Sequence, residues 1–188
     1  MAAFLRRLAW QIAALLWGFA EATLFFVAPD VLLSFIAVKR GLREELIACL
    51  CAAFGASLGG VAMYLWSAHD LASAQGAILA VPAVNDAMLE TAWHEMTTKG
   101  WFAATFEGPL SATPFKAYAV LAPHAGAGLS LFALAAIAAR LPRFLIVTFG
   151  AGILARLLEP VVSQRRLKLG LAALWLIFYA VYWARTPW

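Results

Sequence analysis

Along the chain, long apolar runs alternate with short polar or basic punctuation. The runs are Leu8–Ala28, Val31–Val38, Leu46–Trp66, Trp101–Ala122, Leu129–Leu158 and Leu169–Trp183. A helix that simply crosses a membrane needs about 20 apolar residues at a rise of 1.5 Å. The pattern therefore predicts full spans over residues 46–66, 129–158 (broken near Pro142) and 169–184. The first of these carries Gly55 and Gly59, flanked by Ala52, Ala56 and Gly60. Such a face of small residues lets another helix approach closely.

The remaining runs do not read as simple spans. Were residues 8–28 to cross alone, Lys39, Arg40 and Arg43 would lie opposite Arg6 and Arg7, against the positive-inside rule. Val31–Val38 is too short to cross back. A chain that enters, breaks at Pro29-Asp30 and returns keeps both basic clusters on one side. Proline ends the preceding helix where that break is needed. A re-entrant hairpin over about 8–38 is the expectation. Residues 101–124 have the same grammar, with Gly108-Pro109 and Pro114 interrupting the run. Glu21 precedes Pro29 much as Glu107 precedes Pro114, and a charge follows each proline, Asp30 and Lys116. Interrupted segments in corresponding positions of two halves point to a midplane site between inverted repeats.

These elements make one all-α, polytopic membrane domain over residues 1–188. It has two opposed re-entrant helical hairpins and about three full transmembrane helices. Nine basic residues then fall inside: Arg6, Arg7, Lys39, Arg40, Arg43, Arg156, Arg165, Arg166 and Lys168. The loop 67–100 falls outside, and Trp66, Trp93 and Trp101 gather at the outer interface. Within it, Met88, Leu89, Ala92, Trp93 and Met96 recur at helical spacing. They predict a short amphipathic helix, lying on the membrane surface or packed on the bundle as a lid.

Composition agrees. Of 188 residues 64% are hydrophobic and 13% charged, and the mean hydropathy is +0.84. Soluble domains are about 45–50% apolar and about 25% charged, so this chain's solvent is lipid. A cytosolic globular enzyme, a nucleic-acid reader and a disordered linker are excluded. The net charge of +4 forms no dense basic stripe with interleaved polar readers. Cys49 and Cys51 sit in the apolar run LIACLCAAFG and point to different helix faces, so they read as buried thiols. Arg6 and Arg7 before an apolar run mimic a signal peptide. No small-residue cleavage site follows, and Glu21 interrupts the run, so the segment is expected to be retained.

Six charges lie inside apolar segments: Glu21, Asp30, Glu107, Lys116, Arg140 and Arg143. At a helix centre each costs about 2.5–3.5 kcal/mol, together on the order of 15–20 kcal/mol. That exceeds a typical net folding free energy of about 5–15 kcal/mol. They must face one another, water or a ligand. Arg140 and Arg143 flank Pro142 in ARLPRF, and Arg140 lies about 16 Å of helix from Leu129, near mid-bilayer. Arginine's planar fork suits a phosphate headgroup; equally, the pair could lock Glu21 or Glu107 as structural salt bridges. A buried glutamate without a close partner can carry a proton, and Glu21 is the best placed. Asp30 could serve in its stead or cap the returning helix. His69, His94 and His124 have no metal spacing. Gly126-Ala-Gly128 follows no strand. No catalytic constellation emerges, and no cofactor is implied.

The stretches FAEATLFFVAPDVLLSFIAVKRG, GPLSATPFKAYAVLA and ARLPRFLIVTFGAG resemble the DedA superfamily (VTT, or SNARE-associated, membrane proteins), nearest to its YqaA-like branch. The resemblance touches most of residues 17–152. Where many members carry a longer glycine- and arginine-rich stretch, this chain has only GPLSATPFK. The resemblance implies a multi-pass protein of the bacterial inner membrane, N-terminus cytoplasmic, with two facing re-entrant segments. It also implies translocation of undecaprenyl phosphate, often proton-coupled, or of phospholipid. The family's acidic positions fall on Glu21 and Asp30, its essential arginines on Arg140 and Arg143, and the YqaA-type lysine on Lys116.

Together these readings set out a flippase- or scramblase-like lipid transporter rather than an enzyme. Arg140, Arg143 and Lys116 would hold a lipid phosphate, and Glu21, Asp30 and Glu107 would exchange protons. Its partners would be membrane lipids and further copies of the chain. The alternatives are a proton- or cation-coupled small-solute transporter and a membrane scaffold that transports nothing.

Overall fold

The computed structural model describes residues 2–39, 42–108 and 113–185, with side chains from Arg7 onward. Arg40 and Pro109, which figured in the sidedness and the second break, lie outside the described residues, as does the side chain of Arg6. Among the described residues the chain is helical and has no strand. The helices are α1 (Ala2–Ala22), α2 (Asp30–Lys39), α3 (Leu42–His69), α4 (Leu71–Leu79), α5 (Asp86–Lys99), α6 (Trp101–Glu107), α7 (Phe115–Leu121), α8 (Leu129–Leu158) and α9 (Gln164–Arg185). Three of them, α3, α8 and α9, are long and apolar enough to cross a membrane. Large apolar side chains crowd the outside, among them Ile146, Leu157 and Leu176, each more than 70% exposed. A soluble protein rarely shows so broad an apolar surface; here it faces lipid.

The long α3 is the hub, packing on α1 along one side and α8 along another. Its small-residue face meets α1 backbone to backbone. A Cβ on Gly55 would fall 2.0 Å from the Leu15 carbonyl oxygen, and one on Gly18 would fall 2.1 Å from that of Ala52. Only glycine permits this approach. One apolar core gathers Ala14, Leu33, Cys49, Ala52 and Phe144 from α1, α2, α3 and α8. A second surrounds α7, every residue of which is buried, and includes Met63, Ile78, Leu89, Met96 and Phe132.

The region between α3 and α6 holds two helices where the sequence predicts one. Asp70 caps α4 by accepting from the Ser73 amide at 3.0 Å, and Asn85 caps α5 by accepting from Met88 at 3.0 Å. Helix α5 packs on α6 and α7 and buries Leu89, Ala92 and Met96, as a lid on the bundle does.

Two local expectations change. The first apolar run ends its helix at Ala22 rather than at Pro29, leaving residues 23–29 unwound before α2. In α8, Pro142 interrupts nothing: the helix runs unbroken from Leu129 to Leu158. Proline removes one backbone donor, yet membrane helices tolerate it where neighbours hold both sides. Here Arg140 and Arg143, on either side of Pro142, are tied to Glu21 and Asp30.

Candidate functional site

The unwound segment 23–29 poses the problem that organises the site. Backbone without helical hydrogen bonds cannot face hydrocarbon unsatisfied. Side chains from three helices meet the need. Trp17 Nε1 of α1 donates to the Val27 carbonyl at 2.9 Å, and Lys116 Nζ of α7 donates to the Phe25 carbonyl at 2.7 Å. The Ala28 amide donates to the Tyr179 hydroxyl of α9 at 2.7 Å. The segment so held lines a cavity.

That cavity, of about 560 Å³, lies where the two breaks meet. Phe26, Ala28 and Asp30 come from the first break, and Thr113, Pro114 and Phe115 from the second. Glu21 closes α1, while α8 contributes Arg140 and Arg143. Helix α9 supplies a wall of Trp175, Phe178, Tyr179 and Tyr182.

Four of the six charges of the apolar segments line it, and Lys116 lies beside them. Arg140, 2% exposed, pairs through Nη2 with Glu21 Oε2. Its guanidinium also sits over the rings of Phe144, at 5.0 Å, and Phe115, at 5.4 Å, a cation–π arrangement favoured where the cation is desolvated. Arg143 Nη2 lies 2.9 Å from Asp30 Oδ2; the aspartate is buried, whereas Arg143, which also lines the cavity, keeps 38% of its side chain exposed. The two pairs interact electrostatically with each other, and Lys116 lies within reach of Glu21 and Arg140. Two buried polar atoms of the set, Asp30 Oδ1 and Arg140 Nε, have no hydrogen-bond partner.

The capping role for Asp30 is corrected. It stands in the first turn of α2, where the helix's positive end favours an anion. Its carboxylate, however, bonds Arg143 with one oxygen and leaves the other unbonded, so no amide is capped. Glu107 is the sixth charge, and the structure does not bring it to the cavity. It is half exposed and paired with Lys99 at the end of α5. The correspondence of Glu107 with Glu21 in sequence is not one of environment.

Two features escaped the sequence. Glu45 of α3 is fully buried, pairs with Arg156 of α8, and has its second oxygen, Oε2, unbonded. A Cβ on Gly152 would come within 3.1 Å of both its oxygens, so glycine makes the carboxylate's room. The signal was the Glu44-Glu45 doublet: neighbours on a helix face different ways, and Glu44 pairs outward with Arg7. The second is the aromatic stripe of α9, legible in the helical spacing of Trp175, Phe178, Tyr179 and Tyr182. Elsewhere, His124 Nε2 lies 3.0 Å from Ser67 Oγ, and among the described residues no group of His, Cys, Asp and Glu could hold a metal.

No family model, curated protein or solved structure matches the chain.

Proposed function

We propose that the chain translocates a phosphate-bearing lipid, through a cavity formed where two re-entrant hairpins oppose each other. The observation that carries this reading is the pairing of Arg140 with Glu21 and of Arg143 with Asp30 in one cavity whose outer wall is a lipid-facing helix. A phosphate competes with a carboxylate for an arginine fork. When the headgroup takes Arg143 or Arg140, the displaced Asp30 or Glu21 is left unpaired in a low dielectric and takes a proton. When the headgroup leaves, the pair re-forms and the proton is released. Lys116 gives the set of three cations and two anions a net positive charge that favours an anionic guest. In this reading the protein sits in a bacterial inner membrane with its N-terminus cytoplasmic.

A scaffold reading has one observation in its favour: both ion pairs are closed upon themselves, as purely structural pairs are. A small-solute carrier could use the same charges, but the wall of Trp175, Phe178, Tyr179 and Tyr182 offers the cavity to lipid rather than to water.

Headgroup flipping in proteoliposomes separates these readings. Labelled undecaprenyl phosphate and a labelled phospholipid are compared with and without a pH gradient, in wild type and in folded Glu21→Gln and Arg140→Ala. Gradient-dependent flipping of the polyprenyl phosphate, lost in both variants, is the expected result. Gradient-independent phospholipid movement would mean a scramblase. No movement of either lipid in folded protein overturns the proposal.

A further inference from the structure

Helix α9 buries none of its residues, and its hydrogen bonds lean toward α2. Trp175 Nε1 donates to Ser34 Oγ at 2.9 Å, and the Tyr179 hydroxyl accepts from Ala28. Beside these contacts, between α9 and α8 and bordered by Ser34 and Val38 of α2, runs a mainly apolar groove of about 580 Å³. Gly150 of α8 and Gly170 of α9 both line it. Small residues on membrane helices ordinarily bring the helices into contact. Here a Cβ on either glycine would meet nothing within 4 Å, so neither brings the two helices together.

Three facts say what fits that space. The groove shares Val147, Leu174 and Trp175 with the charged cavity, so the two adjoin. Its α8 wall runs from Ile146 to Leu158, about 18 Å of helix, or roughly half of the 30 Å hydrocarbon thickness of a bilayer. Its far end is lined by Arg166, beside Arg165 and Lys168. One leaflet's length of hydrocarbon, ending at a cation, is the shape of an anionic lipid chain.

We propose that the α8–α9 groove binds one hydrocarbon chain of an anionic lipid, its phosphate at Arg166 and its chain running toward the charged cavity. The binding stands on the groove itself; its part as a loading site for the cavity rests on the transport reading above.

The test is photolabelling in phosphatidylcholine nanodiscs that contain a trace of phosphatidylglycerol or phosphatidylcholine with a diazirine in the chain. Labelled residues are mapped by mass spectrometry. The expected label falls on groove residues such as Ile146 and Leu171, and the anionic probe is preferred about fivefold, the size of one basic side chain's attraction to an anionic lipid. Arg166→Gln removes the preference. Gly150→Leu with Gly170→Leu fills open space with better helix formers and removes the label without lowering the melting temperature. Equal labelling on the outer face at Leu176 and Ile177, label that persists in the filled variant, or copy-to-copy crosslinks at the groove would each overturn the proposal. Labelling without flipping would sink the transport reading and keep the lipid site; flipping without groove labelling would sink the site alone.

Discussion

Lys116 reaches from the second break to the first: its ammonium, 2% exposed, donates to the carbonyl oxygen of Phe25 at 2.7 Å. One side chain on α7 thereby holds the unwound segment that forms the cavity's floor. Replacing it with methionine keeps the volume and leaves the carbonyl without its donor. Lys116→Met is expected to cost about 1–3 kcal/mol, read as a lower melting temperature in detergent. An unchanged melting temperature would show that the segment holds its shape by other means.

Arg140 and Glu21 support a cleaner experiment, because the pair's structural and functional roles respond differently. Removing one partner leaves an uncompensated buried charge, so Arg140→Gln alone should destabilise by about 3–5 kcal/mol. The double variant Arg140→Gln/Glu21→Gln should recover most of that loss, since two neutral amides can bond each other. Transport should stay abolished in the double variant. Recovery of both stability and transport would assign the pair to packing alone.

The contact between α1 and α3 leaves no room at Gly55. Gly55→Ala places a methyl 2.0 Å from the Leu15 carbonyl oxygen, so the helices must part. A loss of about 1–3 kcal/mol is expected from such overpacking. Gly170→Ala, where the space is open, should change little. Thermal melts of the two alanine variants side by side provide the comparison.

Lys99 and Glu107 offer a pH test at the surface. The Glu107 carboxylate, through its hydrogen bond and its charge, raises the Lys99 ammonium above its usual 10.5. A raised lysine contributes stability below its unfolded value and loses it as pH rises through the folded one. Any stabilisation from the pair should therefore be present at neutral pH, fade only above about 10.5, and weaken in high salt. A melting profile of Lys99→Gln that falls away from wild type at neutral pH and rejoins it in strong alkali is the expected outcome. A gap that persists there would point to a different cause.

How much of this was legible in the sequence depends on which force decides each residue. The helices α3, α8 and α9 announce themselves because length and hydropathy decide them. The convergence of Glu21, Asp30, Lys116, Arg140 and Arg143 was legible for a related reason, since buried charges must find one another. The end of α1 was not. Thr23–Ala28 is as apolar as the helix before it, and its unwinding is held by Trp17, Lys116 and Tyr179, partners ten or more residues away in sequence. Glu107 misled because the solvation argument assumed that its segment lies in lipid, whereas Lys99 gives it an exposed partner. Glu45 hid at a helix start among basic residues, where an acid ordinarily signals only a helix end.

Helix α9 stands apart from the charges it covers. Arg140 with Glu21 and Arg143 with Asp30 pair among α1, α2 and α8, without any side chain of α9. What α9 adds is Trp175 to Ser34 and Tyr179 to the Ala28 amide, and it buries none of its own residues. Drawn aside, it would leave a half-pipe whose charges are still paired, so the flank of the cavity could open without breaking the chemistry inside it.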